Sequence, residues 1–320
     1  MDPMKQELLA FPCQFAKGVA KAGSIKLPKA KRILFAGMGG STLAADLLTA
    51  YLPQLPISVH KDYGVPAWVD SSTIVFAASY SGNTEETISS FQEALKKKAR
   101  IVALTNGGKL AQMAEKQGKP VVFIPQTVQP RCATGYLFSS AVAVLENSGM
   151  VKKKACELAK LGDWLDRRQV GLEAQGKALG KKVAKTIPVV YASSKWWAVA
   201  RTWKIKFNEN AKIPSFWNVF PELNHNEMVG FTDPRAKFSF LFLEDPADNP
   251  RVKKRMAIMK GLMEKNGLPV FEVEMAGSSP LEKMFSTLLL GDWVSYYAAL
   301  ENGTDPAPVK MVEDFKKKMG

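Results

Sequence analysis

Short apolar runs that end in a glycine or hydroxyl turn and then give way to a helical stretch recur along this chain. That alternation constrains its fold more than any other feature. Arg32–Gly37 (RILFAG) reads as a buried strand, followed by a loop at Met38–Ser41 and a helical stretch Thr42–Tyr51. Thr73–Ser79 (TIVFAAS) is a second strand, with a polar turn at Tyr80–Thr84 and an amphipathic helix to about Lys98. Arg100–Thr105 and Pro120–Ile124 are two more. Val151–Val183 has no clear strand and is rich in Lys, Leu, Ala and Glu, so it reads as helical. The strand pattern resumes at Ile187–Ala192, Lys237–Leu243 and Pro269–Glu274, with helices at Arg251–Asn266 and Thr287–Glu301 and a short basic one at Pro308–Met319. Strands alternating with helices predict a parallel sheet covered on both faces. The expectation is α/β: two doubly wound parallel-sheet domains, 1–150 and 185–320, joined by a helical linker at 151–184 and closed by a C-terminal helix.

The 320 residues suffice for two cores. No apolar run reaches the roughly 18 residues of a membrane span. Met1–Ala10 carries Asp2, Lys5 and Glu7 and so lacks the apolar stretch of a signal peptide. Cys13, Cys132 and Cys156 have no paired spacing, which fits a reducing cytoplasm better than a disulfide scaffold. The net charge of +14 comes from lysines in scattered runs, such as Lys96–Lys98, Lys152–Lys154 and Lys316–Lys318. No nucleic-acid-binding motif accompanies them, so a solubilised surface is expected, with neither nucleic acid nor membrane as partner.

Ser79-Tyr80-Ser81-Gly82-Asn83-Thr84-Glu85-Glu86-Thr87 lies where a buried strand ends and a helix begins. Parallel sheets bind ligands beyond the carboxyl ends of their strands. A helix start offers N–H groups and a positive dipole end to phosphate. One hydroxyl here would be an ordinary N-cap. The cluster of Ser79, Ser81 and Thr84 points to phosphate binding instead. Gly37-Met38-Gly39-Gly40-Ser41 lacks both the dinucleotide fingerprint and the Gly-Lys-Ser/Thr of a P-loop. Close backbone approach to a ligand and a tight positive-φ turn explain it equally well.

His60 and His225 are the only histidines, which nearly excludes a histidine-built zinc site. His225, in Pro221-Glu222-Leu223-Asn224-His225-Asn226-Glu227, can exchange protons with a sugar ring oxygen near neutral pH; for a lone histidine, a surface residue between helix caps is the commoner case. Glu209, in Phe207-Asn208-Glu209-Asn210-Ala211-Lys212, is set between two amides. A partly buried carboxylate there suits proton abstraction beside a carbonyl, and a solvated loop glutamate is the plainer reading. Arg131 follows the strand Pro120–Ile124. It is placed either to steady a phosphate or enediolate, or as a surface arginine.

Taken together, Gly39-Gly40-Ser41, the Ser79–Thr87 stretch, Pro130-Arg131, Asn208–Lys212 and Pro221–Glu227 resemble the bifunctional phosphoglucose/phosphomannose isomerases, in matching order over nearly the whole chain. The serine-rich loop alone indicates only the wider sugar-isomerase (SIS) domain superfamily. The resemblance implies two sugar-isomerase domains and a cytoplasmic homodimer with its active sites at the subunit interface. It also implies a place in glycolysis and gluconeogenesis. The implied reaction needs no metal or cofactor: glucose 6-phosphate and mannose 6-phosphate interconvert with fructose 6-phosphate through a cis-enediolate. By analogy, Ser79, Ser81 and Thr84 hold the phosphate, and Gly40 and Ser41 contact the sugar. Glu209 moves the proton between C2 and C1, and Arg131 stabilises the enediolate. His225, from the partner subunit, opens the ring with a C-terminal lysine, matched by Lys316 or by Lys310. Pro308 fills a position associated with mannose 6-phosphate activity. Met38 and Cys132-Ala133-Thr134 depart from the family pattern and leave substrate preference open.

Two rivals remain at this stage. One is an isomerase of another sugar phosphate, such as an amino sugar. The other is a non-catalytic sugar-phosphate sensor, which would keep the phosphate loop without the base; the presence of both Glu209 and His225 favours the enzyme.

Overall fold

A computed structural model describes residues 2–319, and counts of elements refer to those residues. The chain divides into two compact units: Leu9–Asp166, and residues up to Leu8 together with those from Arg167 onward. Helix α1 (Pro3–Ala10) opens the described chain.

In the unit Leu9–Asp166, β1 (Arg32–Gly37), β2 (Ile57–His60), β3 (Thr73–Ala78), β4 (Arg100–Thr105) and β5 (Val121–Phe123) form a parallel sheet in the order β2-β1-β3-β4-β5. The central strands are apolar on both faces because helices cover both, as parallel sheets require. β3 is buried at all six positions. Phe35 and Phe76 are register partners and stack with centroids 4.4 Å apart. The helices are α2 (Gln14–Ala22), α3 (Leu43–Tyr51), α4 (Glu85–Lys96), α5 (Gly108–Lys116), α6 (Thr134–Asn147) and α7 (Ala155–Asp166). Phe91 and Ala94 of α4 and Leu110 and Ala114 of α5 pack with Leu34, Val75 and Ile101 of the sheet.

The other unit repeats the plan. β6 (Ile187–Ser193), β7 (Phe216–Phe220), β8 (Phe238–Glu244) and β9 (Val270–Glu274) are parallel, in the order β7-β6-β8-β9. Around them lie α8 (Gln169–Val183), α9 (Trp197–Lys206), α10 (Leu223–Asn226), α11 (Pro250–Lys265), α12 (Pro280–Glu301) and α13 (Lys310–Met319). Met256, Met259 and Met263 of α11 cover Val189, Tyr191, Phe240 and Phe242. The helical stretch after residue 150 is therefore two helices, α7 and α8, one in each unit.

The expected strands appear within a residue or so of their predicted bounds. Two edge strands, β2 and β7, were not foreseen. α12 begins at Pro280 rather than Thr287. Ser279 accepts from the Glu282 N–H at 3.2 Å while the Glu282 side chain accepts from the Ser279 N–H at 3.1 Å, a capping box that fixes the earlier start.

Candidate active site

Six of the expected site residues lie on loops of the unit Leu9–Asp166, most of them beyond the carboxyl ends of β1 and β3. β3 ends at Ala78, and Thr84 takes the N-cap position of α4 with extended backbone (φ −68°, ψ 118°). Its side chain makes no capping bond, so the plain N-cap reading does not account for it. Ser79 is fully buried and donates its hydroxyl to Thr84 Oγ1 at 2.8 Å. Ser79 thus braces the loop from within, while Ser81 is exposed and Thr84 half-buried. The first-turn N–H groups of a helix have no intrahelical partners, so this loop and the start of α4 together offer donors to an anion.

The glycine loop after β1 is tied to the same place. Ser41 Oγ accepts from the Tyr80 N–H at 3.0 Å. Gly40 lies so close to the loop ahead of α6 that a Cβ there would come within 2.8 Å of the Arg131 N. Its φ is unexceptional; only Gly39 of the three takes a positive value, 51°. Close backbone approach therefore explains Gly40, and a turn explains Gly39. Arg131 is 1 % exposed, which removes the reading of a surface arginine. Charged side chains are almost never so deeply buried without partners.

Glu209, His225, Pro308 and Lys316 lie in the other unit, on separate elements. At Phe207 the helix α9 widens into a π turn, Phe207–Ala211, which carries Glu209 half-buried at its centre. Asn208 Nδ2 donates to the Ile213 carbonyl (2.9 Å) and Asn210 Nδ2 to Ser295 Oγ (2.9 Å). Both amides therefore fix the backbone of the turn. Lys212, in the left-handed region at φ 56°, donates through Nζ to the carbonyls of Glu209 (2.7 Å), Asn210 (3.2 Å) and Pro306 (3.0 Å). It thereby joins the turn to the loop that leads to Pro308. This lysine was visible in the Asn-Glu-Asn-Ala-Lys stretch, yet nothing local revealed its capping role. His225 is exposed on the short helix α10. Nearby Glu227 accepts from the Tyr191 hydroxyl at 2.5 Å and from Asn218 Nδ2. Burial first, then this carboxylate, pushes the Tyr191 hydroxyl far above its usual range. Lys316, and Lys310 at the start of the same helix, lie on α13.

The second sheet has no hydroxyl loop where the first has one. After β8 comes Asp245, buried, whose carboxylate accepts from Lys195 Nζ (2.9 Å), Lys283 Nζ and Trp196 Nε1 (3.0 Å), with the Ala247 N–H also donating (2.9 Å). Burial pushes the carboxyl up, but these hydrogen bonds outweigh it and hold it well below the usual carboxylate range. The folded pKa is lowered, so the stability it contributes is present above the unfolded value of about 3.9 and is lost as pH falls below it. Asp245→Asn is expected to cost about 1.5–3 kcal/mol at pH 7. Urea unfolding at pH 7 and pH 3 should show that deficit shrinking in acid; a deficit constant with pH would refute the charge as its source.

Among the described residues, no three His, Cys, Asp or Glu side chains gather as a metal ion would need. No helix among them is long and apolar enough to cross a membrane.

Residues 172–319 match the family model of the bacterial phospho-glucose isomerase C-terminal SIS domain, and residues 26–117 match the SIS domain model. A bifunctional phosphoglucose/phosphomannose isomerase of Caldicellulosiruptor bescii is 37 % identical over 92 % of this chain and 91 % of its own. That of Aquifex aeolicus is 36 % identical over 90 % of each. Among solved structures, a tagatose-6-phosphate ketose/aldose isomerase of Escherichia coli superposes with a TM-score of 0.72 at 15 % identity, covering 95 % of this chain and 94 % of that one. This likeness bears on the fold alone. With identity above 30 % sustained across nine-tenths of the sequence, the chain belongs to the bifunctional phosphoglucose/phosphomannose isomerase family.

Proposed function

We propose that this protein interconverts glucose 6-phosphate and mannose 6-phosphate with fructose 6-phosphate through a cis-enediolate, without a metal ion. The observation that carries the reading is a half-buried glutamate, Glu209, on a π turn in a chain 37 % identical to a bifunctional phosphoglucose/phosphomannose isomerase. Ser81, Thr84 and the start of α4 receive the phosphate, braced by Ser79. Gly40 and Ser41 face the sugar chain. Glu209 carries the proton between C2 and C1, and the positive charge of Arg131 stabilises the enediolate. His225 and Lys316 open the ring, and Pro308 shapes the mannose-accepting side.

The active enzyme is a cytoplasmic homodimer in this reading. The apolar face of α13 supports it: Met311, Val312, Phe315 and Met319 lie on one side of the helix, with Met311 86 % and Phe315 63 % exposed. Such a stripe fits burial against a second copy.

A relative described as a D-glucosamine-6-phosphate 4-epimerase, from Sulfolobus acidocaldarius, is 31 % identical over 68 % of this chain. It makes an amino-sugar phosphate the substrate to set against the hexose phosphates. The test is a coupled assay of the purified protein with glucose, mannose and glucosamine 6-phosphates, each with and without chelator. Turnover of the first two, unchanged by chelator, is expected. Activity on glucosamine 6-phosphate alone, or activity lost in chelator and restored by zinc, would overturn the proposal.

A further inference from the structure

Glu209 stands on a piece of helix that is not self-sustaining. π turns occur as isolated turns within α-helices. Irregular backbone persists only where its surroundings determine it. Here two buried polar links reach the turn from α12. Lys206, the last residue of α9, places Nζ 2.7 Å from Asp292 Oδ1, and both side chains are only 2 % exposed. Four residues on, Asn210 Nδ2 donates to Ser295 Oγ, and that hydroxyl donates to the Asp292 carbonyl at 3.0 Å. Asp292 and Ser295 are one helical turn apart, on the same side of α12. The anchors thus sit three residues before Glu209 and one after it, both held to one rigid helix of 22 residues.

From this geometry we infer that Lys206, Asp292 and Ser295 are positioning residues: they hold the π turn so that the Glu209 carboxylate is aimed at the carbons between which it moves a proton. The inference rests on the reading of Glu209 as the proton carrier. Stability gives no comparable reason for the pair. A buried ion pair is often no more stabilising than apolar residues of the same volume, because desolvating both charges offsets their attraction. The surroundings are apolar, with Trp203, Phe207 and Trp293 all buried beside these residues in sequence, so an apolar pair would pack as well. What it would not supply is the ionic link between α9 and α12 at the point where the helix changes pitch.

The test replaces the pair as a whole. Lys206→Met/Asp292→Leu removes both charges and leaves neither unpaired. The double variant should melt close to wild type. Its kcat on glucose and mannose 6-phosphates should fall by about 10²-fold, the cost of misplacing a reacting group by about an ångström, with KM nearly unchanged. Hydrogen exchange at residues 207–211 should quicken while the β6–β8 amides stay protected. A folded double variant with wild-type kcat would overturn the inference, as would a loss of kcat without faster exchange in the turn. Should the double variant fail to fold, Ser295→Ala removes a single hydroxyl and should lower kcat about tenfold, the value of one buried hydrogen bond; unchanged kcat and exchange there would equally overturn it. The two readings fail differently. Wild-type protein inactive on both sugars would sink the proposed function, whereas the exchange measurement judges the anchoring by itself.

Discussion

Glu209→Gln should lower turnover of glucose 6-phosphate and mannose 6-phosphate together, by about 10²–10⁴-fold, while leaving substrate binding largely intact. Isomerisation takes a proton from C2 and returns it to C1. A carboxylate can do both; the amide keeps the shape and loses the basicity. The two aldoses differ in configuration at C2, so one base serves both only if the open chain turns about its C2–C3 bond before deprotonation. Both substrates then reach one planar enediolate. The π turn suits a single fixed base: Asn208, Asn210 and Lys212 all bind backbone or neighbouring helix around it. Steady-state rates for both sugars, with binding followed separately by protection against thermal unfolding, would check this. Loss of one reaction with the other spared would mean two bases and would defeat the mechanism. Failure of binding as well would assign Glu209 to recognition.

The main strands were legible because the sheets are parallel and covered on both faces. RILFAG, TIVFAA and RIVALT are continuous apolar runs, and burial on both faces is what produces them. β2 and β7 escaped for the opposite reason. Each is an edge strand bonded on one side only, β2 to β1 and β7 to β6, and neither needs a fully apolar run. The hydroxyl cluster after β3 was legible because Ser79, Ser81 and Thr84 fall close together in sequence. The division of labour within it was not: Ser79 turns inward to Thr84 and Ser81 outward, a matter of which way the chain leaves the strand. Arg131 read either as surface or as site until its burial removed the surface reading. Lys206 looked like one more lysine in a basic chain. The available signal lay in its partner, since Asp292 interrupts the apolar run Leu288–Val294 of α12. An acidic residue inside a buried helix calls for a cation, and the sequence does not say which of many lysines will supply it.

Gly82→Ala should be among the most damaging single changes outside the chemistry. Gly82 has φ 72°, and a Cβ there would meet the Gly107 carbonyl oxygen at 1.8 Å. Two costs combine: a left-handed backbone that L side chains rarely adopt, and a clash with main chain that cannot rotate away. Together they amount to about 2–5 kcal/mol. Gly39 provides the control. Its φ is 51°, but nothing lies within 4 Å of its would-be Cβ, so Gly39→Ala should cost only about 1 kcal/mol. The difference matters because Gly82 is where the loop after β3 rests on the loop after β4. Its carbonyl accepts from the Leu110 N–H at 2.8 Å, and the adjacent Asn83 Oδ1 accepts from the Lys109 N–H at 3.0 Å. Pushing these loops apart moves Ser81 and Thr84, the hydroxyls proposed to receive the phosphate. Gly82→Ala should therefore lower the melting temperature and raise KM for both hexose phosphates, whereas Gly39→Ala should lower it slightly and change KM little. Melting curves and initial rates on the two variants, side by side, decide the matter. If Gly82→Ala melts no lower than Gly39→Ala, the contact with Gly107 does not hold the loop. If it melts lower with KM unchanged, the loop does not hold the phosphate.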